Sequence, residues 1–375
     1  MKNTAARHFD IAIVGGGLVG AALAYGLRDL GRRLVVLDEG DVAFRAARGN
    51  FGLIWVQGKG FGMPSYGAWT QRSAREWPAF AADIANATGI DVALRQAGGL
   101  HACLTQDELD TRAARIDALL SQPGFERYDV EVLDRAGVQS KVGPVGDVAG
   151  GTWSALDGDC NPLRLLRALH AAIASSGAVT LSDCAVDRIE PSAVGFVLRT
   201  SRGVISCERV VLAAGLGNAR LAPMVGLAVP VTPNKGHILV TERLPRFLDV
   251  PLDTIRQADE GTVLIGDAQQ DAGFDTSLDT GVMAAMAVRA ARVFPALREA
   301  RVVRAWSALR VMSPDGFPVY AQSSDPPGAW LVTCHSGVTL AAAHARVLAQ
   351  AIRADALPPE CAAFDADRFH VRAAA

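Results

Sequence analysis

The pattern of apolar and polar positions changes period within the first forty residues. Residues 11–14 (Ile-Ala-Ile-Val) are an unbroken apolar run of strand length. Gly15-Gly16-Gly17-Leu18-Val19-Gly20 follows, after which Val19, Leu23, Leu27 and Leu30 recur at helical spacing. Gly31 ends that stripe, residues 34–37 form a second apolar strand, and Asp38-Glu39 closes it. Strand, glycine turn, helix, strand and acid are the parts of a dinucleotide-binding unit. Gly15 permits the tight turn, Gly17 lets backbone approach a pyrophosphate, and Gly20 lets helix and strand pack closely. The N–H groups of Leu18 and Val19 open the helix toward the phosphates, and Asp38, with Glu39 beside it, can accept from the ribose.

Further along, 162–174 reads as a helix and 179–189 as one strand. Within that strand Val186 is either a backbone contact for an adenine or a plain sheet residue. A hairpin at 195–199 and 203–207 feeds a strand at Val210 that ends in Ala213-Ala214-Gly215. A strand ending in that way is common in FAD enzymes of the two-dinucleotide-domain type and brings the chain back to the first site. The blocks 90–147 and 226–300 differ. The first predicts a strand pair over 93–104 and a charged helix over 106–120. The second predicts strands at 229–231, 237–241 and 262–265, then a helix over 281–293. Their β-branched and alternating character points to a mostly antiparallel sheet. At the C-terminal end a strand at 330–333 precedes the turn Cys334-His335-Ser336-Gly337-Val338-Thr339 and an apolar helical stripe from Leu340 to Ile352. N–H donors at Gly337, Val338 and Thr339 suit the negative charge of a reduced flavin. His335 either lines the flavin or is an ordinary turn histidine, and His344 falls on the apolar stripe as a core residue. Gly266-Asp267 has the look of a ribityl-binding strand end, but residues 268–274 lack the helix that reading needs.

Composition narrows the class. The chain has 375 residues, half of them hydrophobic, a fifth charged, with a net charge of −2. That is too apolar for a disordered chain and too acidic for a nucleic-acid footprint, and the length allows two or three domains. The six cysteines contain no C-x-x-C pair, so no zinc site, iron–sulfur cluster or other metal centre is expected, and reduced thiols fit a cytoplasmic protein. The apolar run 11–27 falls short of a membrane span and is interrupted by Gly15, Gly16, Gly17 and Gly20. No transmembrane segment is expected, with peripheral membrane contact left open.

The expected architecture is α/β (α+β): a Rossmann-like FAD-binding domain from 1–89, 148–225 and 301–375, and a second, mostly antiparallel substrate domain from 90–147 and 226–300. In this arrangement the chain resembles the FAD-dependent D-amino-acid oxidase superfamily, which includes glycine and sarcosine oxidases. The resemblance rests on Gly15–Gly20 with Asp38, on Ala213-Ala214-Gly215, on Ala308-Leu309-Arg310 before Pro314-Asp315-Gly316, and on Cys334-His335-Ser336-Gly337. The stretch Arg48-Gly49-Asn50-Phe51-Gly52-Leu53-Ile54-Trp55 is similar to the catalytic subunits of opine oxidases, D-hydroxyproline dehydrogenase and hydrogen cyanide synthase.

The resemblance implies roles. Arg310 matches the arginine that holds a substrate carboxylate, although Ala308 and Val311 replace the usual glycine and proline; a planar guanidinium fork suits that task. Arg48, Gly49, Asn50, Gly52 and Leu53 would wrap the flavin ring and pyrophosphate, and His237 would face the substrate. No cysteine occurs at 311–313, where sarcosine oxidases attach their cofactor, so FAD is expected to be noncovalent. The implied reaction is oxidation of a C–N bond in an amino acid or N-substituted amino acid, with hydride passing to flavin N5. The implied partner is a subunit carrying further redox centres. A stand-alone oxidase, a non-catalytic flavin-binding electron relay and an NAD-dependent dehydrogenase are the competing readings.

Overall fold

The computed structural model describes residues 7–29, 31–40, 46–266 and 268–369. Leu30 of the first helical stripe and Asp267 of the discounted ribityl motif lie outside the described residues.

Five parallel strands form the main sheet in the order Pro327–Thr333, Gly203–Leu212, Arg7–Val14, Leu34–Leu37 and Val179–Leu181. Val319–Ser324 pairs antiparallel at one edge, and the hairpin Val186–Ser192 with Gly195–Thr200 branches from strand 203–212. The register sets Val14 opposite both Leu37 and Leu212, and Leu212 opposite Leu331. Four strands thus end together, and Gly15, Asp38, Ala213 and Cys334 leave the sheet at one edge. Ligands of open parallel sheets bind beyond the carboxyl ends of their strands.

One face of this sheet is covered by helices Leu18–Leu27, Pro64–Thr88 and Pro162–Ser175 and by the C-terminal helical segment 341–354. Trp77, Phe80, Tyr320 and Trp330 are fully buried there. Asn161 caps helix 162–175 by accepting from the Leu163 and Arg164 amides. Gly26 brings helix 18–27 onto the carbonyl of Ala345, where any Cβ would overlap backbone. The C-terminal segment contains a wide π turn at His344–Leu348. Buried His344 Nε2 is hydrogen-bonded to Tyr320 Oη at 2.7 Å.

Beyond the edge where the strands end lie an antiparallel four-stranded sheet and a three-stranded one. The first runs Ile255–Gln257, Thr262–Gly266, Thr232–Arg243, Val302–Met312; the second runs Gly99–Cys103, Gly150–Ser154, Glu131–Asp134. They share an apolar cluster with helices Arg135–Val142 and Thr280–Val293. Among the described residues no helix is long and apolar enough to cross a membrane.

Several expected elements change. The strand expected over 179–189 is two strands, because Asp183 takes a left-handed turn (φ 53°) and Cys184 N–H leaves to bond the Asp38 carbonyl. The expected pair over 93–104 is one strand, Gly99–Cys103, preceded by an isolated bridge from Arg95 to Asp159; Ala93 (φ 53°) breaks the extended run. Residues 229–231 are not a strand but a buried connection packed under the parallel sheet. The strand expected at 237–241 runs from Thr232 to Arg243. Helix Pro64–Thr88 and strand Ile255–Gln257 are additions to the expected set.

Candidate active site

The glycine turn is built as its spacing required, with the close contacts largely internal to the protein. A Cβ on Gly15 (φ +108°) would overlap the Ala213 carbonyl, and one on Gly20 would overlap the Gly15 carbonyl. Gly17 is different: its nearest neighbour would be Ala47 Cβ at 3.6 Å, so one side of the turn is open. Gly17 is also the N-cap of helix 18–27 and supplies no capping side chain, which leaves the first-turn amides of Leu18 and Val19 to a ligand. Asp38 holds the turn from the next strand, accepting from Gly16 N at 2.8 Å and Gly40 N at 3.1 Å. From the far side, His170 Nε2 donates to the Gly16 carbonyl at 2.8 Å. Gly337 reaches the same place, within 3.7 Å of Val19 and 3.8 Å of Leu18 for an added Cβ. These groups could hold a pyrophosphate without rearrangement.

A cavity of about 340 Å³ is lined by strands 232–243 and 302–312, by residues between Ala46 and Lys59, and by the turn 334–339, whose Gly337 approaches helix 18–27. Gly49, Asn50, Leu53, His237, Arg310, His335, Val338 and Thr339 are among its lining residues. Arg310 stands opposite Asn234 in the strand register, and its guanidinium lies across Gly236, where a Cβ would come within 2.5 Å. Nη1 donates to Asn234 Oδ1 at 3.1 Å and to the Ala268 carbonyl at 2.8 Å. Oxygens on the adjacent strand and loop thus fix the orientation of the fork in the cavity wall. Burial, and then the charges of Lys59 and Arg310, push the His335 imidazole down to about 3, so it is neutral at physiological pH.

Residues 10–351 match the FAD dependent oxidoreductase family DAO. The chain belongs to this family. An opine oxidase subunit of Agrobacterium tumefaciens (strain Ach5) is 44% identical over 366 residues, 97% of this chain and 99% of that protein. Hydrogen cyanide synthase subunit HcnC of Pseudomonas aeruginosa is 28% identical, covering 98% of each. Glycine oxidase from Geobacillus kaustophilus has the same fold, with a TM-score of 0.88 at 25% identity over 96% of this chain and 99% of that one. The chain is an FAD-dependent oxidoreductase.

Other expected residues of this oxidoreductase are placed as follows. Gly49 and Gly52 allow protein contacts: a Cβ on Gly49 would overlap Ala308, and one on Gly52 (φ +97°) would come within 2.5 Å of the Cys160 carbonyl. Asn50 Oδ1 accepts from Gly52 N at 2.7 Å, and a buried cluster fixes the segment from behind. There Arg256 donates to the Phe51 carbonyl and to Asp159, which also pairs with Arg95 at 2.6 Å. Arg48 is exposed. The Ala214 amide is taken by Asn218 Oδ1 at 2.9 Å, Gly215 (φ +59°) turns the chain there, and the Val186 carbonyl is taken by Arg220 at 2.9 Å. Thr339 Oγ1 accepts from Trp55 N and donates to the Leu53 carbonyl, tying the 53–55 segment to the turn 334–339. Buried His237 accepts from Asp279 N at 3.1 Å, while burial and then Lys235 hold its pKa down; its ring anchors the loop over the cavity. Glu39 is exposed one residue beyond Asp38.

The sequence reading missed two cavity residues, Lys59 and Ser336. Lys59 Nζ donates to Ser336 Oγ at 3.2 Å, and Tyr66 Oη lies 2.8 Å from the same oxygen. Lys59 stands in Gly58-Lys59-Gly60, a rare lysine in an arginine-rich chain, and that contrast was the available signal.

Proposed function

We propose that this chain oxidises the C–N bond of an amino acid or N-substituted amino acid, as the catalytic subunit of a heteromeric dehydrogenase. The observation that carries the reading is the Arg310 guanidinium, laid over Gly236 and oriented by Asn234 and Ala268 in the wall of a cavity that the turn 334–339 also lines.

When bound, FAD supplies the hydride acceptor. The chain's own residues do the rest. Arg310 takes the carboxylate in two hydrogen bonds, which fixes the carbon bearing the amine. His335 stays neutral and adds no charge where positive charge develops on nitrogen. Loss of hydride and a proton yields an imine, and water converts it to a carbonyl compound and an amine. No general base is assigned, because this oxidation depends on positioning. Burial pushes the Cys334 thiol in the cavity wall up to about 12, which disfavours a covalent link and supports noncovalent FAD. In this reading the parallel sheet carries FAD through 1–89, 148–225 and 301–375, with 90–147 and 226–300 covering the substrate. Strand Val302–Met312 then delivers Arg310 from the first unit into the sheet of the second.

The subunit assignment rests on the 44% identity to a protein named as an opine oxidase subunit, and on the absence of C-x-x-C pairs for further redox centres. The test is anaerobic flavin bleaching by N-carboxyalkyl amino acids, followed by peroxide measurement in air. Bleaching with slow peroxide release is expected. Rapid peroxide release by the purified chain would establish a stand-alone oxidase instead, the reading favoured by the likeness to glycine oxidase. No bleaching with any amine would reject the reaction.

A further inference from the structure

The peptide unit between Gly16 and Gly17 is held differently from the one before it. The Gly16 amide belongs to the preceding unit and is fixed by Asp38 Oδ2 at 2.8 Å. The Gly16 carbonyl belongs to the next unit. Among the described residues its one hydrogen bond is with His170 Nε2, at 2.8 Å and 154 positions along the chain. A carbonyl oxygen only accepts, so Nε2 carries the proton. The Gly17 N–H at the other end of this unit has no protein acceptor among the described residues.

This unit is also easily turned over. It is flanked by two glycines, so no Cβ on either side opposes its rotation. The peptide is trans, and its carbonyl and N–H therefore point in opposite directions. Holding the carbonyl on the side of helix Pro162–Ser175 points the Gly17 N–H away from that helix. It then joins the Leu18 and Val19 amides as a donor left for a ligand. Turned over, the same unit would offer an oxygen where it now offers an N–H, and an oxygen there would repel a phosphate.

The helix that carries His170 is firmly placed. Cys160 N donates to the Gly52 carbonyl at 2.9 Å and Asn161 N to the Val92 carbonyl at 2.8 Å, just ahead of the Asn161 cap. Leu165, Leu169, Ala172 and Ile173 are buried in the cluster that also holds helix Leu18–Leu27. His170 is the one polar residue between Arg167 and Ser175, and it is half-buried at the rim of that apolar stripe.

We propose that His170 is a positioning residue for FAD: its Nε2–H locks the Gly16–Gly17 peptide with the Gly17 N–H available to the cofactor's pyrophosphate. His170 acts through the orientation of one amide and needs no contact with the cofactor. The role concerns cofactor binding alone, so it holds whichever amine is oxidised.

The test is binding of FAD and ADP to full-length protein stripped of FAD, followed by flavin fluorescence for FAD and by displacement for ADP. His170→Met and His170→Gln are closely matched in length, and only glutamine can donate a hydrogen bond. His170→Met should weaken FAD and ADP by the same factor, about ten-fold, the scale of one lost hydrogen bond. ADP carries the pyrophosphate without the flavin, so an equal factor localises the effect to the glycine turn. His170→Gln should recover most of the lost affinity. The melting temperatures of the three apoproteins should agree; if both substitutions lower them alike, the comparison of glutamine with methionine still decides. Unchanged affinity in His170→Met, a glutamine variant as weak as the methionine one, or a loss confined to FAD would overturn the proposal. A wild type that binds neither FAD nor ADP would reject the site itself.

Discussion

Arg310 shows how much a single side chain owes to its neighbours. Its fork is useful only because Gly236 on the adjacent strand leaves room for it and Asn234 aims it. Arg310→Ala should raise KM for a carboxylate substrate by two orders of magnitude or so, with Arg310→Lys recovering little because a point charge cannot replace a bidentate fork. Steady-state kinetics with the best amine would show this, and an unchanged KM would remove Arg310 from the site. Asn234→Ala, a positioning change, should raise KM several-fold and leave flavin content alone. His101 carries the clearest pH signature. Burial pulls its pKa down, but the Asp253 carboxylate outweighs burial and raises it from 6.5 to about 9. A raised folded-state pKa stabilises fully below the unfolded value, so this contribution is present below pH 6.5 and is lost as pH rises through 9. Melting temperatures of wild type and His101→Asn should differ most near pH 6 and converge toward pH 9.5; a constant difference would contradict the ion pair.

At the scale of elements, close approaches decide more than propensity does. Helix 18–27 crosses the C-terminal helical segment at Gly26, with the Ala345 carbonyl in the space a side chain would need. Gly26→Ala should therefore destabilise by about 1–3 kcal/mol, the usual cost of overpacking, despite alanine's better helix propensity. Urea unfolding measures it, and a gain in stability would mean the crossing can relax. The helix Pro64–Thr88 obeys the same helical periodicity that revealed its neighbours, with Tyr66, Trp69, Ser73, Trp77, Phe80 and Ile84 buried. Ser73 and buried Gln71 blur that apolar stripe in sequence. Both are satisfied only in the fold, where Ser73 Oγ donates to the Thr339 carbonyl and Gln71 to the Glu126 carbonyl.

In the whole molecule, the turn 334–339, which leaves the parallel sheet, and the Arg310 strand of the antiparallel sheet line one cavity. A cofactor filling that cavity would touch both sheets, so its removal should loosen both. With free FAD at a thousand times its dissociation constant, linkage adds about 4 kcal/mol of stability. Apoprotein should melt several degrees below the FAD-loaded form, as thermal unfolding with and without added FAD would show; identical midpoints would mean that the folded chain does not bind FAD.

Much of the first unit was legible along the chain. The 3.6-residue stripe of helix 18–27, the apolar runs of strands 7–14 and 34–37, and the glycines between them are local patterns, and local sterics enforce them in any context. Arg310 was singled out through resemblance, because a motif travels with its neighbours in sequence, whereas the turn at 334–339 with His335 was read from its place between a strand and a helical stripe. The rest depends on distance in space. Val14, Leu37 and Leu212 end side by side because of strand order and register, which no window of a dozen residues contains. That alignment alone carries Gly15, Asp38, Ala213 and Cys334 to one edge. Lys59 mattered only once Ser336 had been brought to it from elsewhere in the chain. Chemistry that lives in a turn could be read from the turn; whether a charge has a partner was decided by packing, because the partner comes from another part of the chain.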